Sequence, residues 1–268
     1  MYLHLLKIDL KKMTSYRTFW VVCGLYFVTL GIGTASGMEV LKWLAGMFEN
    51  FGEELNITRI PLYHFPDVWL NLIWVSGLLK ILLAIMVVIS VTNEFTYRTI
   101  RQNIIDGMSR RDFLFSKIGT NVLLSLASVT MTFMIALFTG MIYSPSLEFD
   151  LLVADLEFIP AYFLEIFFFL SYALMLSLII QRSGLTIILL LLTQMIEGII
   201  QINIDDYVPW LVPYLPMQSI RDLIAFPFPR YALQEIKDYV SPLTVLIVAT
   251  WAFLFNYFSY LKLKKSDI

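Results

Sequence analysis

The sequence predicts an all-α integral membrane protein with six transmembrane helices and both termini on one side of the membrane. Three observations carry that prediction. Of the 268 residues, 59% are apolar and 15% are charged, where soluble domains run at about 45–50% and about 25%. The apolar residues gather into six runs, each near the roughly 20 residues needed to cross a hydrocarbon core. The basic residues lie unevenly between the segments that separate those runs. No polar stretch approaches the roughly 100 residues of an ordinary soluble domain, so residues 1–268 read as a single transmembrane domain.

Residues 1–17 put Leu3, Leu6, Leu10 and Met13 on one helical face and His4, Lys7 and Lys11 on another. That spacing describes a helix lying in the interface, held by apolar burial and by attraction to anionic membrane lipid. Span one covers about 18–36 and contains Cys23, the single cysteine, so an intrachain disulfide is excluded. The first residues lack the apolar core and small-residue cleavage site of a signal peptide, and span one is expected to act as its own targeting signal. An acidic loop follows over 37–67, in which Trp43 and Phe48 suggest contact with the interface. Its Asn56-Ile57-Thr58 triplet matches the glycosylation sequon, a pattern too common by chance to carry weight.

Span two runs over about 68–92 and span three over about 119–143. The latter carries Ser125, Ser128, Thr132 and Thr139 on one stripe, a pattern that lets membrane helices approach closely and hydrogen-bond. After a short acidic loop, span four (about 158–180) is rich in phenylalanine. A tight turn at 181–184 leads into span five, about 185–203. Residues 204–240 combine Pro209, Pro213, Pro216, Pro227 and Pro229 with Trp210, Tyr214, Phe226 and Phe228. Proline breaks long helices, so short external helices are expected there. Span six covers about 241–261 and ends on Lys262, Lys264 and Lys265.

Between spans two and three lies the long polar interruption, residues 93–117. Ile100, Ile104 and Ile105 recur at helical spacing, and Gly107 offers the left-handed residue that ends a helix. Ser109 with Asp112 three residues on is the pattern that starts a new one. The chain is expected to leave span two, run a short helix, turn a corner and enter span three.

Within that corner Glu94, Tyr97, Thr99 and Arg101, followed by Gly107, Ser109, Arg110 and Lys117, resemble the signature of ABC-2-type transporter permeases. Arg98 stands where many members of that family have Gly, and Gly107 where many have Pro. The initial interfacial helix is similar to theirs as well. The resemblance implies that this corner is a coupling helix docking on a separate ATP-binding subunit, with Arg101, Arg110 and Arg111 meeting its surface. It further implies pairing with a second permease subunit, export of a lipid, peptide, drug or similar substrate, and residence in a plasma (bacterial inner) membrane. ATP and Mg would be held by the partner, with no cofactor or catalytic residue on this chain.

Assigning alternate loops to opposite sides puts Lys7, Lys11, Lys12, Arg17, Arg98, Arg101, Arg110, Arg111, Lys117, Arg182, Lys262, Lys264 and Lys265 together. Lys42, Arg59, Arg221, Arg230 and Lys237 fall on the other side, and Lys80 within a span. The positive-inside rule then makes both termini cytoplasmic. Arginines beside a bilayer favour lipid headgroups or a protein over nucleic acid, so no nucleic-acid partner is expected.

Lys80, Glu165 and Glu197 lie within spans, where each costs roughly 2.5–3.5 kcal/mol at a helix centre unless paired. They form a candidate polar network, lining a path or fixing helix packing. No G-x-x-x-x-G-K-[ST] loop, H-E-x-x-H motif or G-x-S-x-G elbow occurs in the chain. Neither His4 nor His64 has a metal-ligand neighbour at useful spacing, so no metal site is expected. Two other classes fit the same pattern of spans. One is an ion-gradient-driven secondary transporter using the three intramembrane charges. The other is a non-transporting anchor or assembly component built on the same scaffold.

Overall fold

A computed structural model describes residues 2–35, 37, 61–205, 207–229 and 238–266. The loop features named above at Trp43, Phe48 and 56–58 lie outside the described residues, as do 206 and 230–237 of the proline-rich segment. The described residues form helices α1 (Tyr2–Ser15), α2 (Arg17–Ala35), α3 (Asp67–Leu78), α4 (Lys80–Thr96), α5 (Thr99–Ile105) and α6 (Arg110–Tyr143). The order continues with α7 (Phe149–Val153), α8 (Phe158–Ile180) and α9 (Ser183–Asp205), then a 3₁₀ turn (Pro209–Tyr214), α10 (Pro216–Leu223) and α11 (Pro242–Lys265). The described residues contain no strand, and the protein is an all-α membrane protein.

Five helical stretches are long and apolar enough to cross a bilayer: Asp67–Thr96, Arg110–Tyr143, Phe149–Ile180, Ser183–Asp205 and Pro242–Lys265. A sixth candidate is the pair Leu5–Ser15 and Arg17–Gly33, bent by 87° between its halves. The bend separates two kinds of helix. In α1 Lys7 and Lys11 are exposed while Asp9 and Met13 are buried. In α2 the residues from Arg17 onward are almost wholly apolar, and among those whose burial is described only Tyr26 and Leu30 are fully buried.

Span two lies within one stretch, Asp67–Thr96, interrupted at Leu79, whose amide donates back to the Ser76 carbonyl at 3.0 Å. A Ser-Gly pair is a common place for such a break. Here Gly77 also makes room for Glu165, whose Oε1 would lie 3.0 Å from a Cβ at that position.

Helix α8 is the centre of the bundle. It buries Tyr162, Ile166, Phe168, Phe169, Leu170, Ala173 and Leu174 completely, and packs against α11, α4, α6 and α3. The serine–threonine stripe of α6 is buried along its length. By contrast α9 buries only Thr186, Leu190 and Glu197 and turns a row of isoleucines and leucines outward.

The two ends of the bundle differ in chemistry. One end gathers α1, α5, the start of α6 and the end of α11, and it is basic. The other is aromatic. There Trp69 stacks on Phe133 with ring centroids 5.4 Å apart, and its indole N–H donates to the Leu152 carbonyl at 3.2 Å. Trp74 meets Phe226 and Phe228 of the proline-rich segment, and the Trp251 indole donates to the Tyr214 carbonyl at 2.9 Å. Burial, with Tyr143 nearby, pushes the Tyr63 hydroxyl up to about 12, so it stays protonated.

Phe65 closes this end by lying directly over Gly140, where an added Cβ would fall 2.4 Å from the ring. Gly140→Ala is therefore expected to destabilise by about 1–3 kcal/mol through overpacking, seen as a lower melting temperature in detergent. Gly33→Ala meets nothing within 4 Å and should leave that temperature unchanged.

Candidate functional site

The corner between α4 and α6 is built residue by residue from turn chemistry. Arg98 ends α4 with φ 55 and ψ 21, the left-handed conformation that costs a non-glycine residue about 1 kcal/mol or more. Helix α5 follows. Its end is closed by the Met108 amide donating to the Asn103 carbonyl at 2.9 Å and the Gly107 amide donating to the Ile104 carbonyl at 3.1 Å. This is the paired closure of a Schellman motif, with Gly107 at φ 97 supplying the left-handed step. Ser109 Oγ then accepts from the Asp112 amide at 3.1 Å and donates to Asp112 Oδ2 at 2.7 Å, which caps α6.

Beneath this corner lies a buried ion cluster. The Lys117 ammonium donates to Asp9 Oδ1 and lies 3.6 Å from Glu94 Oε1. Lys12 reaches the same Glu94 oxygen at 3.5 Å and Asn103 Oδ1 at 3.4 Å. The Thr99 hydroxyl donates to Glu94 Oε2, Thr120 donates to Asp9 Oδ2 at 2.6 Å, and Lys117 also meets Ser90 Oγ at 3.2 Å. Asp9, Glu94 and Lys117 are each no more than 5% exposed. Two acids and two lysines balance in charge, and together they join α1, α4, α5 and α6.

Of the residues singled out from sequence, the structure brings Glu94, Thr99 and Lys117 into that cluster. Tyr97 is exposed on the corner. Of Arg101, Arg110 and Arg111, expected by resemblance to meet a partner's surface, the structure places the first two at one cleft and Arg111 on another side. Successive residues on a helix point about 100° apart, and Arg110 and Arg111 accordingly turn to different sides. Arg110 donates to the carbonyls of Leu263 and Lys264 at 3.2 and 2.8 Å, so it ties the end of α11 to the corner. Arg111 donates twice to the Tyr260 hydroxyl, at 3.0 and 3.2 Å. Arg98, Arg101 and Arg110 line an open polar cleft of about 570 Å³ with Phe95, Ile100, Gln181 and Ser266. No carboxylate among the described residues lines it.

The three charges within the spans are also divided. Lys80 and Glu165 pair, Nζ to Oε1 at 2.6 Å. Glu197 stands apart and accepts from the amides of Met217 at 2.9 Å and Gln218 at 2.6 Å, capping the N-terminus of α10. Beside Glu165 lies a set of hydroxyls of which sequence reasoning singled out Ser128 alone. Tyr26 and Tyr162 both hydrogen-bond Ser128, the latter at 3.0 Å, and lie 3.4 Å from one another. Their signal was spread over three spans and invisible in any one. Asp9 did have a local signal, as an acid set i+3 from Leu6 and i−4 from Met13 within the apolar stripe of α1.

A family profile described as a protein of unknown function, DUF2705, matches residues 63–268. The chain belongs to the DUF2705 family. The matched stretch runs from the entry to α3 through the end of the chain. It therefore holds Glu94, Lys117, Lys80, Glu165 and Glu197, while Asp9, Lys12 and Tyr26 of this DUF2705 chain precede it. No curated protein matches the chain.

Removing one partner of a buried ion pair strands the others, at a cost of about 3–5 kcal/mol. Lys117→Met should accordingly lower the melting temperature markedly, because both Asp9 and Glu94 lose a cation. Adding Asp9→Asn to Lys117→Met should restore part of the loss. A Lys117→Met protein as stable as the parent would show that the cluster contributes no net stability.

Proposed function

We propose that this chain is the membrane-spanning permease subunit of an ATP-driven transporter of the ABC-2 type, with ATP hydrolysed on a separate nucleotide-binding subunit. One observation carries the proposal. A seven-residue helix, α5, stands at the basic end of the bundle, locked to the spans by the buried cluster of Asp9, Lys12, Glu94 and Lys117. Such a helix has the geometry of a lever. A push on it passes through Glu94 to α4, through Lys117 to α6 and through Asp9 to α1. The residues beneath it resemble the permease signature, and the cleft of Arg98, Arg101 and Arg110 beside it offers donors to acidic groups of a partner.

In this reading the chain spans the membrane six times, with α2 as the first span and α1 lying along the surface. Both termini are cytoplasmic, as the basic residues favour, and the membrane is the bacterial inner membrane. Two permease subunits pair, each docking an ATP-binding subunit that holds ATP and Mg, and the rocking of the pair exports a lipid, peptide, drug or similar substrate. The tether from Arg110 to α11 refines the coupling surface. Arg98 and Arg101 make no ion pair among the described residues, so they are the outward contacts, whereas Arg110 also holds the bundle together.

The test is a mild-detergent pull-down of the tagged protein, reading partner mass and ATPase activity from one sample. A co-purifying ATPase is expected, lost at least tenfold in Arg101→Glu and in Arg98→Gly. The latter variant suits its backbone, since glycine adopts the left-handed conformation without strain, so its loss would report the side chain alone. Arg182→Glu, in the exposed turn before α9, should retain the partner. Absence of any ATPase across several detergents would overturn the proposal.

A further inference from the structure

Outside the corner, the largest feature left unused is a groove of about 630 Å³ between α6, α8 and α11. Its walls include Phe115, Ile118, Phe167, Ala249 and Phe253, and Arg111 is the single charged residue among the described residues that lines it. Ala249 and Ala252 recess the wall on the α11 side. From Tyr260, beside Arg111, to Ala249 the groove runs about 16 Å along α11 at 1.5 Å per residue. One leaflet of a hydrocarbon core is about 15 Å thick. The groove therefore reaches from the polar boundary to the membrane midplane and no further.

The charged end is prepared for an anion. Arg111 faces no carboxylate among the described residues. The Tyr260 hydroxyl takes the Nε–H and one Nη2–H of its guanidinium, and the ring lies 5.4 Å from the guanidinium carbon. Three of the five N–H donors remain, and a guanidinium presents these in the fork that suits phosphate oxygens. Lys262, Lys264 and Lys265 follow within the last turn of α11 and add positive potential at the same level. Tyr257 and Tyr260 have the apolar ring and polar tip that sit at the headgroup boundary.

We propose that this groove binds one anionic phospholipid, with its phosphate on Arg111 and one acyl chain laid along α11 between Phe115 and Phe253. Basic pockets between membrane helices take anionic headgroups in this way. A second copy of the chain would have to bring an acid to Arg111 at the membrane boundary, whereas a phospholipid carries both the phosphate and the chain of the right length. The site depends only on α6, α8 and α11 crossing the membrane, and so goes beyond the transporter reading and stands apart from it.

Native mass spectrometry of delipidated protein titrated with phosphatidylglycerol or phosphatidylcholine of identical chains tests the proposal. The parent should retain one phosphatidylglycerol with a preference of about fivefold, the factor expected for one arginine near the surface. Arg111→Gln should bring the ratio to near one, and Arg111→Lys should keep most of it. Ala249→Trp, which fills the open wall, should reduce adducts of both lipids. Equal retention of the two lipids by the parent, or an unchanged ratio in Arg111→Gln, would overturn the proposal. So would equal loss in the Gln and Lys variants, which would assign the effect to packing on Tyr260. A lipid-free dimer that Ala249→Trp dissociates would give the groove to a second copy instead.

Discussion

The ammonium of Lys117 sits between two carboxylates, Asp9 and Glu94, that reach it from α1 and α4. Buried charges are costly to desolvate and are tolerated only when every partner is in place. This lysine therefore does more than hold two helices. It is satisfied only if α1 lies across the end of the bundle, if α4 ends at the right level and if α6 begins at the right angle. Lys12 adds a condition on α5 by spanning Glu94 and Asn103. Apolar packing alone would accept small slips of one membrane helix along another, because lipid tails and leucine side chains are equally apolar. A closed set of two cations and two anions does not accept them.

The opposite end is fixed by other means. Trp69, Phe133, Phe65 and Gly140 interlock through shape, and polar links there include the indole N–H groups donating to carbonyls and the Phe65 amide donating to Ser144 Oγ. Between these ends, α8 supplies a nearly continuous buried surface, with phenylalanine as its main filler. The molecule thus has one end held by charge and one by aromatic packing. In the proposed permease reading, a displacement applied at α5 would meet rigid coupling locally and be passed on along α4 and α6.

Much of the fold was legible because membrane helices and turn chemistry leave local signals. The apolar runs marked five long apolar helices, and Gly107, Ser109 and Asp112 marked the corner, since left-handed φ and N-capping depend on one or two residues. The break at Leu79 was less legible, because Gly77 matters there chiefly for the room it leaves to Glu165, eighty-eight positions away in the chain. For the same reason Lys80, Glu165 and Glu197 read as one network when they form a pair and a cap. Depth along a helix follows from sequence, but the direction in which a side chain faces depends on neighbours. Arg110 and Arg111 show the point most simply: adjacent in sequence, they serve different surfaces.

The two intramembrane carboxylates are satisfied to different degrees. Both oxygens of Glu197 accept backbone amides, so the start of α10 is bound firmly to α9. Glu165 uses Oε1 for Lys80, while its Oε2 and the nearby Ser76 Oγ are buried without a hydrogen-bond partner among the described residues. Unpaired polar groups are costly in a low-dielectric interior. These lie where span two is interrupted, at the junction of α3 and α4. Below that junction α4 belongs to the charge-locked corner, and above it α3 belongs to the aromatic end. The junction is therefore where the two halves of the bundle meet, and the Lys80–Glu165 pair ties it to α8.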